Sequence, residues 1–185
     1  MALVTALLAY PVLNVADIGM YAYQSMQVAN AAQAGARAAW SACNVASYWP
    51  ATANCGASGA TLTTAVSGTA GIQSTTLGSN VTLVSGYPKE GYYCATTTNT
   101  LALTGSPSSN PAVSAGSTPT KATNCSTVWD PATNASATAA NTAATPGDYV
   151  SVSVTFTYTP LFTGVVTVAS LLTSPITSTA WQRMT

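Results

Sequence analysis

Histidine is absent from the 185 residues and charge nearly so, with four Lys and Arg and four Asp and Glu making up 4% of the chain. Soluble proteins carry about 25% charged residues. Without histidine the chain lacks the commonest general base, the commonest metal ligand and the side chain that titrates near neutral pH. The four carboxylates, Asp17, Glu90, Asp130 and Asp148, are scattered with no paired spacing. No GxG or GK[ST] loop offers backbone amides to a phosphate. Four cations at zero net charge give no basic patch for nucleic acid. These absences argue against an enzyme and against a cofactor, a metal or a nucleic-acid partner.

Cysteine is sparse but even in number. Cys43, Cys55, Cys94 and Cys125 lie in Ser/Thr/Asn/Gly-rich sequence without CxxC spacing, which disfavours zinc and thioredoxin-like chemistry. Two disulfides and an oxidising compartment are expected. Three pairings are open, and the nearest-neighbour scheme, Cys43 with Cys55 and Cys94 with Cys125, is favoured. Closing loops of those sizes would stabilise by about 3 to 4 kcal/mol each.

Residues 2–23, ALVTALLAYPVLNVADIGMYAY, are mostly apolar, and helical periodicity runs on to about Ala42. At 1.5 Å per residue the helix is roughly 60 Å long, enough to cross a bilayer with its first half and project beyond it with its second. Pro11 should kink it. No basic n-region or small-residue cleavage site marks the segment as a removable secretion signal. Tyr10, Asn14, Asp17, Tyr21 and Gln24 follow i, i+4, i+7, i+11, i+14 and share one face. Such a stripe suits helix neighbours or, alternatively, the chain's own globular domain. Ala32, Gly35, Ala36 and Ala39 form a small-residue face of the kind that lets backbones approach closely, although alanine's helix propensity alone explains the run equally well. Arg37 is the only cation among the first 88 residues.

After Cys43 the composition shifts to Thr, Ser, Gly, Asn and Pro, so a boundary falls there: an apolar helix over 1–42 and a disulfide-containing, β-rich domain over 43–185. The expected class is α+β, a long N-terminal helix followed by a mostly antiparallel sheet with long loops. Strands are predicted within 60–66, 81–84 and 92–103, and most clearly over 149–158, where Val150, Val152, Val154 and Phe156 alternate with Ser and Thr. A closing strand is predicted at 176–184. Residues 105–147 read as loops, and 160–172 fit a short helix or a buried strand equally well. Asn80, Asn124 and Asn134 head glycosylation-type sequons.

Both ends resemble the TadE-like pseudopilins of tight-adherence pili, relatives of type IV pilins. The N-terminal VTALLAYPVLNVADIGMYAYQSMQVANAAQAGARAA keeps that family's order of Val4, Pro11, Gly19 and a small-residue segment over 31–39. The C-terminal VSVSVTFTYTPLF and ITSTAWQRM resemble its valine-rich strand, Pro-Leu turn and closing segment. About the first and last 40 residues are covered, and the Cys-bearing middle is not. The resemblance implies a pilin-like fold and Met1 as the first mature residue after a short leader is cut, although Met1 also reads as a start codon. Where the family carries a glutamate that pairs with a neighbour's N-terminal amine, this chain has Thr5. Asp17, the only charge in the first 36 residues, is the one acidic residue available to take that part.

The expected function is a structural subunit of an extracellular pilus, a helical homo-oligomer at the cell surface. It would be held in the cytoplasmic membrane before assembly and then bundle its N-terminal helices. Val4, Thr5, Pro11, Asn14, Asp17, Gly19, Gln24, Gly35 and Arg37 would form the assembly helix. A minor pseudopilin that primes or caps the pilus is the alternative within the class. A membrane-anchored adhesin or glycan-binding module is the alternative outside it, with Tyr48, Trp49, Tyr87, Tyr92, Tyr93 and Trp129 as stacking candidates.

Overall fold

The computed structural model describes residues 2–56, 59–73, 81–105, 112–130, 133, 135–160, 162, 172 and 174–184, without the side chains of 2–8, 46 and 70–73. The chain opens with α1 (Ala2–Cys43), which runs through Pro11 as one element. A 3-10 turn at Ala46–Tyr48 leads to α2 (Ala51–Asn54) and α3 (Ala60–Gln73). The strands are β1 (Thr82–Leu83), β2 (Lys89–Ala95), β3 (Leu101–Thr104), β4 (Val113–Ser114), β5 (Val128–Asp130), β6 (Ala135–Ala137), β7 (Gly147–Phe156) and β8 (Ile176–Arg183). All pair antiparallel in one sheet of order β1-β7-β2-β3-β5-β6, with β8 also on β7 and β4 also on β2. The class is α+β, a long N-terminal helix with an antiparallel sheet domain.

Alternation decides which face of the sheet is dry. On β7, Val150, Val152, Val154 and Phe156 point one way and are buried against Val28, Ala31, Ala32, Ala36 and Ala39 of α1. Burying such side chains contributes about 1.5 to 3 kcal/mol each. Close approach of helix and sheet depends on Gly35, where a Cβ would stand 3.2 Å from Val152 Cγ1 and 3.3 Å from Val66 Cγ1. The small-residue face of α1 is thus consumed within the chain. Leu62 and Val66 of α3, one helical turn apart, complete the same core.

This packing corrects the expectation of a strand over 60–66. The Thr and Val content of ATLTTAV favours a pleated strand, but a tertiary partner with a shallow alanine and glycine surface selects a helix. The predicted strands over 149–158 and 176–184 appear as β7 and β8. The run over 92–103 spans β2 and β3, which pair around a turn. Short strands β4, β5 and β6 punctuate the segment read as loops. The undecided stretch 160–172 lies outside the described residues except for 160, 162 and 172.

Both disulfides have the nearest-neighbour pairing: Cys43 with Cys55 at a Cα separation of 5.6 Å, and Cys94 with Cys125 at 6.0 Å. The first fastens the end of α1 to α2. The second fastens β2 to the segment before β5, whose small core of Cys94, Ala102, Cys125, Val128 and Ala139 is separate from the main one.

Candidate assembly surface

Two stripes run along the first half of α1 on opposite sides. The inward stripe includes Asn14, Asp17, Tyr21, Gln24 and Val28, all buried or half-buried. Opposite it lie Val12, Val15, Gly19, Tyr23 and Met26, again at helical spacing, with Val12 65%, Val15 68% and Met26 59% exposed. Ile18 and Met20 flank that stripe, also exposed, and nothing stands within 4 Å of a Cβ built on Gly19. Beyond Met26 the outward positions become Asn30, Gln33 and Arg37, all exposed. The second half is therefore an ordinary amphipathic helix, with one face on the domain and one in water. The first half presents an apolar face roughly 21 Å long that the described residues leave uncovered.

From Asn14 to Gln24 the polar stripe faces the chain's own domain, as one of its two sequence readings allows, while Tyr10 at its start is 41% exposed. Asp17 is fully buried. Its Oδ1 accepts from the Tyr158 hydroxyl at 2.9 Å, and its backbone carbonyl accepts from the same hydroxyl at 3.2 Å. The Tyr21 ring meets Tyr158 edge-on, with centroids 5.1 Å apart. Burial, and then the hydrogen bond to Asp17, push the Tyr158 hydroxyl up to about 12. Asp17 thus ties the projecting half of α1 to the chain just after β7. Asn14 Nδ2 donates to the Tyr10 carbonyl at 2.7 Å, a bond within the helix.

Where α1 ends, a second buried carboxylate makes the joint to the sheet. Glu90 on β2 is fully buried and accepts from the backbone N–H of Ala51 at 2.7 Å and of Thr52 at 2.6 Å, and from the Thr52 hydroxyl. Asp148 on β7 hydrogen-bonds Glu90, and its carboxyl is pushed up to about 8, chiefly by burial and then by the charge of Glu90. Gly59, at φ +75°, closes the strap around this joint, because a Cβ there would meet the Thr52 carbonyl oxygen at 2.3 Å. Trp49 Nε1 donates to the Cys43 carbonyl at 3.2 Å, satisfying one carbonyl at the end of α1.

The remaining sequence candidates scatter. Val4 and Thr5 lie in α1, with side chains outside the described residues, as do Asn80 and Asn134 entirely. Asn124 is exposed, and its Oδ1 accepts from the Ser126 N–H at 3.1 Å in a local turn. Of the aromatic candidates only Tyr87 and Tyr93 come together, joined by Trp181, which the sequence reading passed over. Tyr92 is on the opposite sheet face, with Lys121 Nζ 5.9 Å from its ring centroid. Trp129 sits on β5, Tyr48 ends the 3-10 turn, and Trp49 reaches the Cys43 carbonyl at the end of α1.

Among the described residues no helix is long and apolar enough to cross a membrane. The expectation of a spanning half concerned residues 2–23, of which ALVTALL, at its start, has its side chains outside that description. No group of three or more metal-ligating side chains occurs among the described residues. The geometry defines an α+β chain with an apolar helix face, at one end, that the described residues leave uncovered. Compared with protein families, curated proteins and solved structures, the chain matches none.

Proposed function

We propose that this chain is the structural subunit of an extracellular, pilin-type filament, held in the cytoplasmic membrane before assembly and built by bundling the first halves of α1. The observation that carries the reading is the outward stripe of Val12, Val15, Gly19, Tyr23 and Met26 opposite an inward stripe already in contact with the domain. Both sides of that half then want an apolar or packed environment. Each large side chain on the outward stripe gains about 1 to 2 kcal/mol when a neighbouring helix covers it. Gly19 lets a neighbour's backbone come close, and a bend at Pro11 steers the helix tip into the bundle. The resemblance of both chain ends to TadE-like pseudopilins supports the same reading. Low charge fits too, because close-packed copies repeat every unpaired charge many times.

Negative-stain electron microscopy of the purified native protein tests the proposal. Thin filaments containing this chain alone are expected. A monodisperse monomer after removal of detergent would overturn it.

A further inference from the structure

The sheet face turned away from α1 carries Lys89, Gly91 and Tyr93 of β2, Tyr149 and Ser151 of β7, and Thr179 and Trp181 of β8. Each alternates with an inward residue of its strand, so the set follows from the register. Tyr87, Lys89, Tyr93, Ser151, Thr179 and Trp181 line a cleft of about 390 Å³ on this face. That volume is at the small end of the range for ligand sites, about 300 to 1,000 Å³. It suits a short oligomer better than a folded partner.

The lining is chemically mixed in a particular way. Trp181 is 40% exposed, and its ring is held edge-on to buried Tyr93 at a centroid distance of 4.9 Å. Tyr93 itself has room because position 91 is glycine: a Cβ there would stand 3.1 Å from Tyr93 Cε2 and 3.0 Å from Leu103 Cδ1. Lys89 Nζ sits 5.0 Å from the Tyr87 ring centroid at the edge of the cleft. The Ser151 hydroxyl donates to the Lys89 carbonyl at 3.2 Å, and the Thr179 hydroxyl donates to Ser153 Oγ at 3.0 Å. Ser151 is buried and braces the floor of the cleft, whereas Thr179 is exposed and its oxygen keeps a lone pair for an incoming donor. None of the four carboxylates is on this face: Glu90 and Asp148 alternate to the inward side, Asp130 alternates with outward Trp129, and Asp17 is on α1. In a chain of zero net charge this face is therefore locally cationic.

We infer that this cleft binds an acidic saccharide, a uronate-type pyranose within an anionic surface polysaccharide. The indole of Trp181 takes the apolar C–H face of the sugar ring, the Lys89 ammonium takes its carboxylate, and the Thr179 and Tyr87 oxygens at the rim meet its hydroxyls. The inference goes beyond the filament reading and does not depend on it. The cleft is complete within one chain, and binding is read on the subunit whether or not filaments form.

Isothermal titration calorimetry of the full chain with an oligogalacturonate and with a neutral oligosaccharide of equal length tests it. The uronate is expected to bind at least tenfold more tightly and to weaken as salt is raised. Trp181→Ala should weaken uronate binding at least tenfold. Lys89→Gln should abolish the preference for the acid while leaving the melting temperature unchanged, which keeps the test valid if Trp181→Ala fails to fold. Equal binding of the two oligosaccharides, binding of neither, or unchanged uronate binding in a folded Trp181→Ala would overturn the inference. Filaments that form normally but bind no uronate would sink this inference and leave the filament proposal standing.

Discussion

Glu90 accepts two backbone N–H groups and the Thr52 hydroxyl, and the Asp148 carboxyl beside it is pushed up by burial and then by the charge of Glu90. The pH dependence follows from the raised carboxyl of Asp148, which stands at about 8 against an ordinary 3.8. The folded state holds the Asp148 proton more tightly than the unfolded chain does. Its contribution is thus fully present below the ordinary value and is lost as pH rises through about 8. The midpoint of urea unfolding should fall between pH 5 and pH 9. Asp148→Asn, whose amide does not titrate, should flatten that slope, and an unaltered slope would refute the assignment. Glu90→Gln replaces an acceptor-only group with one that presents an N–H₂ to donors already in place. It should cost about 3 kcal/mol, read as a lower thermal midpoint.

At the scale of elements, α1 is one helix with two kinds of surroundings. Its second half is fitted to the domain by residues without bulk. Gly35→Leu would drive a side chain into Val152 and Val66, which lie near contact distance of a mere Cβ. It should destabilise the fold by about 1 to 3 kcal/mol in chemical denaturation, while Arg37→Leu, on the exposed side, should not. The first half is tied down by Tyr158, whose hydroxyl reaches both the carboxylate and the backbone carbonyl of Asp17. That contact joins residues 141 positions apart. It turns the stripe of Asn14, Asp17, Tyr21 and Gln24 toward the domain, and so leaves the apolar side outward.

The whole molecule therefore presents two surfaces of different character. One is the apolar helix face, and the other is the cationic, aromatic face of the sheet away from α1. Val15→Glu places a charge on the first without touching the core, since Val15 is 68% exposed. The subunit's unfolding free energy should move by no more than about 0.5 kcal/mol. Filament yield, measured by sedimentation and negative stain, should collapse. Normal filaments from this variant would mean that the outward stripe is not the assembly face.

Local pattern was enough for much of this. The long helix, the closing strands and the dry face of β7 follow from periodicity, which acts over a few residues, while the observed cysteine pairing is the favoured one of three that the sequence leaves open. The two stripes on α1 were legible as geometry, because helical spacing alone puts Asp17 and Val15 on different sides. Tertiary structure decided which stripe faces inward, since Tyr158 could not be placed beside Asp17 from sequence. It also decided that 60–66 is helical, that Glu90 and Asp148 meet across two strands, and that Trp181 stands beside Tyr93 and Lys89. In each case the deciding energy comes from partners far apart in the chain: a shallow alanine and glycine surface, a buried donor, an opposite strand. Periodicity tells a residue which side it is on, and only packing tells it what is there.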